Sequence, residues 1–389
     1  MTETTDRGLL PAGLPDLLPP DAAHEAGIVE RLVAAFARHG YERVKPPLIE
    51  FETSLLSGSG KGMATQSFRL MDPVSQSMLA LRPDITLQVA RIATTRLRNE
   101  ARPLRLSYAG QVLRVKGTQL RPERQFGQVG VELIGAFQPA ADAEVVLLAA
   151  DALRAVGVAG LSVDLTVPTL VPSLCRAMAL DEEETRYLRA ALDRKDASAV
   201  AAVGSPAAEL ALALMAASGP ADRALERLSK IALPEAAKAD HVRLETVIGL
   251  LRTADPELKL TVDPVEHRGF EYQTGVSFTL FARGVRGELG RGGRYRAGAL
   301  GGLAGGPPQG EPSTGFTLYL DTVLRAVPGP RPSARVFLPF GTPAADGHRL
   351  RAEGWVTVAG LEPAADAAAE ARRLSCTHLL DGGRVAELQ

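Results

Sequence analysis

Residues 104–115 read LRLSYAGQVLRV, and residues 128–137 read QVGVELIGAF. In the first stretch the apolar side chains Leu104, Leu106 and Tyr108 recur at every second position, the period of an extended strand with one buried face. The second stretch reads as its strand partner, and the charged segment VKGTQLRPERQF, residues 115–126, reads as the hairpin loop between them. Within the second strand Gln128, Gly130 and Glu132 are two residues apart, so an extended chain places all three on one face. The glycine leaves space between the two polar side chains. This pattern predicts the floor of a pocket, and Arg114 at the end of the first strand strengthens the set.

Upstream of the hairpin, LALRPDITLQVARIATTRL, residues 79–97, predicts a strand ending near Leu81 and a helix that Asp84 caps, with Thr86 in its first turn. Side chains at that junction are placed to face a ligand. Nearer the N-terminus, Ile28, Leu32, Val33 and Phe36 share one face of a helix predicted over 22–39, and Gly40 stops it. YERVKPPLIEF, residues 41–51, carries the pair Pro46 and Pro47, which suits an edge strand or the start of one. Toward the C-terminus, residues 172–251 are rich in Ala, Leu, Arg and Glu and read as a helical insertion. Strand character returns at LKLTVDP, residues 258–264, and at VSFTLFA, residues 276–282, where Val276, Phe278 and Leu280 alternate with Ser277, Thr279 and Phe281.

This order predicts an α+β fold: a mixed, mainly antiparallel sheet flanked by helices, with a helical insertion, rather than a doubly wound parallel sheet. The glycine-rich segment RGELGRGGRYRAGALGGLAGGPPQGEPSTGF, residues 286–316, reads as a mobile loop joining strands. VPGPRPSA, residues 327–334, reads as a linker, which divides the chain into a core over 1–329 and a small C-terminal α/β domain over 330–389. The tail, about sixty residues, is near the lower limit for independent folding.

Composition narrows the function classes. Forty-four Lys and Arg against forty-five Asp and Glu leave a net charge of −1, so no global field draws in nucleic acid. The two cysteines, Cys175 and Cys376, lie far apart without neighbours at ligand spacing, which predicts neither a disulfide framework nor a metal site. The polar, proline-rich N-terminus does not read as a signal peptide, and no apolar run has the roughly 18 residues needed to cross a bilayer, so a cytoplasmic location is expected. SGSGKGM, residues 57–63, has Leu55 and Gly62 where a phosphate-binding loop needs Gly and Ser or Thr, and reads as a surface loop. No cofactor is expected.

The motifs GLPDLLPP (13–20), HGYERVKPPLIEF (39–51), LALRPDIT (79–86), LRLSYAGQVLRV (104–115), ERQFGQVGVELIG (123–135), EHRGFEYQTG (266–275) and GGRY (292–295) follow one another in this chain. In that order they resemble the class II histidyl-tRNA synthetases and their non-catalytic paralogues, the regulatory subunits of ATP phosphoribosyltransferase. The resemblance spans roughly the first 325 residues. It implies that Asp84, Thr86 and Gln128 hold the ammonium group of a histidine-like amino acid and that Glu132 lies near its imidazole. It further implies that Tyr108, Tyr272 and Tyr295 line the same pocket, that Arg114 is the second-motif arginine, and that Arg268 meets a carboxylate or phosphate.

Departures from the synthetase pattern choose between the two types. Residues 315–323 read GFTLYLDTV where synthetases carry Gly-Phe-x-x-Gly-Leu-Glu-Arg-Leu, so Thr322 replaces the arginine that grips the ATP phosphates and Tyr319 replaces a glycine. In related phosphate chemistry such a cation is worth about 10³ to 10⁵ in rate, and a hydroxyl does not supply that charge. Gln273 follows Tyr272 in place of a second tyrosine, Asp84 replaces glutamate, and Gly127 replaces a histidine. The resemblance therefore implies a regulatory subunit with no catalytic residues of its own. It would be required by a short-form ATP phosphoribosyltransferase catalytic subunit in the first step of histidine biosynthesis and would convey feedback by histidine. Self-association as a dimer or higher, through the region around Pro46 and Pro47, follows from the resemblance, and tRNA is not an expected partner because the tail is shorter than an anticodon-binding domain. The alternative is a divergent, active histidyl-tRNA synthetase; an RNA-binding pseudo-synthetase ranks third.

Overall fold

The two alternating segments pair antiparallel, β5 (Leu104–Leu113) against β6 (Gln125–Ile134), with Tyr108 opposite Gly130 and Leu106 opposite Glu132. The computed structural model describes residues 9–56, 63–118, 121–266, 273–298, 310–330 and 334–388. The hairpin belongs to a nine-stranded sheet in the order β1 (Glu42–Arg43), β5, β6, β12 (Glu311–Tyr319), β11 (Gly290–Ala297), β10 (Ser277–Ala282), β7 (Leu161–Thr166), β9 (Lys259–Val262), β8 (Gly219–Pro220). Only β1 with β5 and β7 with β9 run parallel; the other neighbours are antiparallel. The expected mixed, mainly antiparallel α+β fold is thus what the chain forms.

Strand alternation sorts β6 between two layers. Val129, Val131 and Leu133 turn toward α1 (Asp21–Arg38) and α4 (Pro139–Val156), in one apolar core with Ile28, Leu32, Val33 and Phe36. The helical periodicity of those four residues is what buries them together, and Phe36 meets Phe316 of β12 edge to face at 5.6 Å between centroids. α4 begins at Pro139, whose missing amide costs nothing at the first helical position, and ends at Gly157 with φ +102°. On the opposite face, Gln128, Gly130 and Glu132 look toward α3 (Thr86–Thr95). A second apolar cluster there joins Ile85, Val89 and Ala93 to Tyr108, Tyr295 and Tyr319.

The proline pair sits between strands rather than inside one. β1 ends before it and β2 (Ile49–Phe51) begins after it, at the edge of a separate three-stranded sheet with β4 (Met78–Leu81) and β3 (Arg69–Met71), next to α2 (Glu52–Leu55). The buried Arg82 donates from Nη1 to Pro46 O at 3.0 Å, and Gln88 donates from Nε2 to Pro47 O at 2.8 Å. Prolines supply carbonyls here without leaving an amide unpaired.

Between β7 and β9 the chain forms α5 (Leu170–Ala177), α6 (Glu182–Asp193), α7 (Ala197–Ala201), α8 (Pro206–Ala216), then the short β8, α9 (Ala221–Leu228) and α10 (Glu235–Ala254). Asp181 and Glu184 form a reciprocal capping box at the start of α6. After β12, α11 (Leu320–Ala326) closes the first compact unit, 1–329. The second unit, 330–389, holds a four-stranded sheet in the order β14 (Val356–Ala359), β13 (Arg335–Leu338), β15 (His378–Asp381), β16 (Arg384–Glu387), with α12 (Ala344–Ala352) and α13 (Ala367–Arg373). Val336, Leu338, Leu350 and Leu380 form one of its apolar cores.

One expectation is corrected. The glycine-rich segment 286–316 is not simply a loop, because its two ends are the adjacent strands β11 and β12. The glycines of β11 serve close packing. A Cβ at Gly290 would overlap the carbonyl of Thr317, and one at Gly292 would overlap the ring of Phe278. Residues 57–62 of the SGSGKGM stretch lie outside the described residues.

Candidate functional site

Glu132 is the centre of the site. Its side chain rises from β6 into room left by β12: Gly315 lies directly opposite, and a Cβ there would collide with Glu132 Oε2. The residue is 1% exposed, and burial pushes its carboxyl up from an ordinary 4.5 to about 8, against the opposing pull of hydrogen bonds from Tyr295, Thr86 and Tyr108. Tyr295 of β11 donates its hydroxyl to Oε2 at 2.8 Å, and Tyr108 of β5 donates to Oε1 at 3.4 Å. Tyr108 needs the missing side chain of Gly130 opposite it, since a Cβ there would strike the tyrosine hydroxyl. Burial, with the nearby carboxyls of Glu132 and Asp84, holds the Tyr108 phenol well above its usual range, so it stays protonated.

The start of α3 forms the adjoining wall. Asp84 accepts the backbone N–H of Thr86 at 2.9 Å through Oδ1 and the Gln128 amide at 2.9 Å through Oδ2. Gln128, fully buried, accepts the Ile85 N–H at 3.1 Å through Oε1. The strand residue thus locks the strand-to-helix junction and orients the carboxylate that faces it. Thr86 Oγ1 stands 3.2 Å from the Tyr108 hydroxyl.

The structure therefore brings Asp84, Thr86, Tyr108, Gln128, Glu132 and Tyr295 together. Arg114 belongs to a different group. Its Nε donates to Pro83 O at 3.3 Å, and its guanidinium lies 5.0 Å from the centre of the Phe126 ring. Arg121 joins it there, 4.9 Å from the same ring and 4.0 Å from that of Tyr319, with Nε donating to Asp321 Oδ2 at 2.9 Å. Arg268 and Tyr272 lie outside the described residues.

Sequence reading missed Thr317, whose hydroxyl is 2.7 Å from that of Tyr108, because the two are 209 positions apart and only strand pairing unites them. It also missed the buried Arg82, which spans the junction by donating from Nε to Gln111 O at 2.8 Å. Its position inside the quoted LALRPDIT motif was the available signal. Three departures from the synthetase pattern have local explanations. Leu320 takes the space that any side chain at Gly127 would need. Thr322 is buried, and it accepts hydrogen bonds from Arg325 at 3.2 Å and Arg121 at 3.5 Å. Gln273 donates to Gly292 O at 3.4 Å, while its buried Oε1 has no hydrogen-bond partner among the described residues.

A neutral carboxyl among phenol and threonine hydroxyls, beside an acceptor-rich wall, suits a small ligand carrying both an ammonium group and a weakly basic ring nitrogen. Among the described residues no group of three or more His, Cys, Asp or Glu is placed to hold a metal ion. No helix among them is long and apolar enough to cross a membrane.

Residues 13–323 match the family model described as histidyl-tRNA synthetase. The chain is 66% identical over 381 residues to an ATP phosphoribosyltransferase regulatory subunit from Rhodospirillum centenum, covering 98% of this chain and 96% of the relative. A protein of the same name from Paramagnetospirillum magneticum is 58% identical over the full length of both chains. Among solved structures, a Bacillus halodurans protein titled ATP phosphoribosyltransferase regulatory subunit/histidyl-tRNA synthetase superposes with a TM-score of 0.81 at 23% identity, covering 95% of this chain and 97% of that one. A histidyl-tRNA synthetase from a Nostoc species gives 0.79 at 18% identity, over 96% and 91% of the two chains; at these identities both likenesses speak to the fold alone.

Proposed function

We propose, from the premise that the chain belongs to the histidyl-tRNA synthetase-like family of ATP phosphoribosyltransferase regulatory subunits, that it binds histidine in the Glu132 pocket and passes that occupancy to a catalytic partner. The partner is the short-form ATP phosphoribosyltransferase catalytic subunit of the first step of histidine biosynthesis, and the setting is the cytoplasm. The chain contributes no catalytic residue of its own and works as a dimer or larger assembly. The Asp84 carboxylate accepts the ligand ammonium beside Thr86 and Gln128, while Glu132 meets the imidazole. Arg268 and Tyr272 complete the ligand set, Arg114 borders it, and the unit over 330–389 is a shortened counterpart of an anticodon-binding domain.

The observation that carries this reading is the contrast between two adjoining regions. Around Glu132 the chain keeps a set of buried groups suited to an amino acid. Around Tyr319, where the resemblance puts the nucleotide side, Arg121 lies on the Tyr319 ring and is bonded to Asp321, and Thr322 stands where the synthetase pattern has an arginine. Histidine can alter a partner's activity only by binding one assembly state more tightly than another, and the pocket is the place where that difference originates.

The test is to mix the chain with a short-form catalytic subunit and follow co-elution and phosphoribosyl-ATP formation with and without histidine. Stimulation on mixing and inhibition by histidine are expected. Failure to co-elute or to stimulate would remove the proposal, and robust histidine-dependent exchange of pyrophosphate into ATP would establish the synthetase alternative instead.

A further inference from the structure

Arg294 directly precedes Tyr295 in β11, and strand alternation sends the two side chains to opposite faces of the sheet. Tyr295 enters the pocket, whereas Arg294 turns to the α4 side and is almost fully buried. Its Nε lies 2.9 and 3.1 Å from the two oxygens of Asp142, Nη1 donates to Ala136 O at 2.7 Å, and Nη2 donates to Gln138 O at 3.3 Å. Asp142 stands in the first turn of α4, where the helix dipole favours its charge. A second guanidinium arrives from the helical insertion: Arg243 of α10 donates from Nε to Asp142 Oδ2 at 3.0 Å and from Nη2 to Phe137 O. The side chains of this triad are 4% (Arg294), 3% (Asp142) and 13% (Arg243) exposed.

Burying three charges in this way is a poor route to stability, because desolvation offsets most of the attraction. It does fix geometry, and β11 needs that. The residues before Arg294 include Gly290, Gly292 and Gly293, the last at φ +150°, so this end of the strand is thin in side chains that could set its position. We propose that Arg294 is a positioning residue: held by Asp142 and, through it, by Arg243, it sets the Tyr295 hydroxyl on the Glu132 carboxyl and thereby couples the helical insertion to the pocket. The consequence for histidine rests on the functional reading above; the positioning itself does not.

Among the described residues, the groups facing Glu132 are Tyr108 from β5, Tyr295 from β11, and Thr86 and Asp84 from the start of α3, with Thr317 of β12 behind Tyr108. Of these, only Tyr295 neighbours the triad in sequence. The experiment follows the Glu132 side-chain carboxyl by carbon-13 NMR across a pH titration of the whole unliganded protein, with histidine affinity measured alongside by calorimetry. Tyr295→Phe is the reference for full loss of the hydrogen bond. Arg294→Lys and Arg243→Met are expected to move the Glu132 midpoint upward, toward that reference, and to weaken histidine binding by up to about tenfold, the upper end of what one net hydrogen bond contributes. Arg243→Lys should restore much of both.

A midpoint unchanged from wild type in variants whose only defect is a lower melting temperature would overturn the proposal. Should Arg294→Lys fail to fold, Arg243→Met decides the matter, because Arg243 is the most exposed member of the triad and its replacement leaves the Arg294–Asp142 pair in place. If wild type fails to bind histidine while the midpoints shift as described, the ligand reading falls and the positioning role stands. If wild type binds and the midpoints do not shift, the positioning role alone falls.

Discussion

Replacing Glu132 with glutamine should make the protein more stable in alkaline solution and leave it nearly unchanged in mild acid. The folded state holds the Glu132 proton up to about 8, whereas an unfolded chain releases it near 4.5. Between those values the folded state binds a proton that the unfolded state has lost, so wild-type stability falls as pH rises through the window and levels off above it. At about 1.4 kcal/mol per pH unit, the whole interval corresponds to roughly 5 kcal/mol, a ceiling that local relaxation and water entry reduce. Glutamine keeps the shape and still accepts the Tyr295 hydroxyl, but it has no charge to bury. The assay is urea denaturation followed by circular dichroism at several values between about pH 5 and about pH 9, with the variant-minus-wild-type difference plotted against pH. That difference should climb by several kcal/mol in favour of the variant at the alkaline end. A flat difference would show instead that the folded carboxyl ionises as readily as a solvated one.

Two further outcomes test the site and the frame. Histidine binding should peak between the imidazole value of about 6.5 and the Glu132 value of about 8, where one proton is available for the pair to share, and weaken on both sides; calorimetry across pH would contradict this by showing a monotonic dependence. Phe36→Ala should cost about 3–5 kcal/mol, because the ring is fully buried against Phe316 and leaves a cavity between α1 and the sheet; a loss under about 1 kcal/mol in denaturant titration would show that this contact is not part of the rigid core.

Much of the fold was legible because its elements carry strong local periodicity. The hairpin of β5 and β6, the four-residue stripe of α1 and the pocket-facing set Gln128, Gly130 and Glu132 all announce themselves within a dozen residues of sequence. Boundaries shifted where tertiary pairing extends a strand, as when β6 begins at Gln125 inside the stretch read as loop. Strands β11 and β12, at the ends of a glycine-rich stretch, were hidden because glycine composition signals flexibility, while here the absent side chains admit Phe278, the Thr317 carbonyl and Glu132 itself. Thr317 and the Arg243–Asp142–Arg294 triad were illegible for a different reason. Their partners lie 101 to 209 positions away, and no local pattern marks a polar residue that sheet order will bury. Arg114, counted with the pocket set as the second-motif arginine, turns its guanidinium to Phe126 beyond the end of β5.

Glu132 is proposed as the histidine sensor of a working complex. The direct measurement is the histidine concentration dependence of phosphoribosyl-ATP formation by the chain mixed with a short-form catalytic subunit, comparing wild type with Glu132→Gln. Both complexes are expected to form phosphoribosyl-ATP at similar rates without histidine, and only the wild-type complex is expected to be inhibited over the usual range. Superimposable inhibition curves would contradict this.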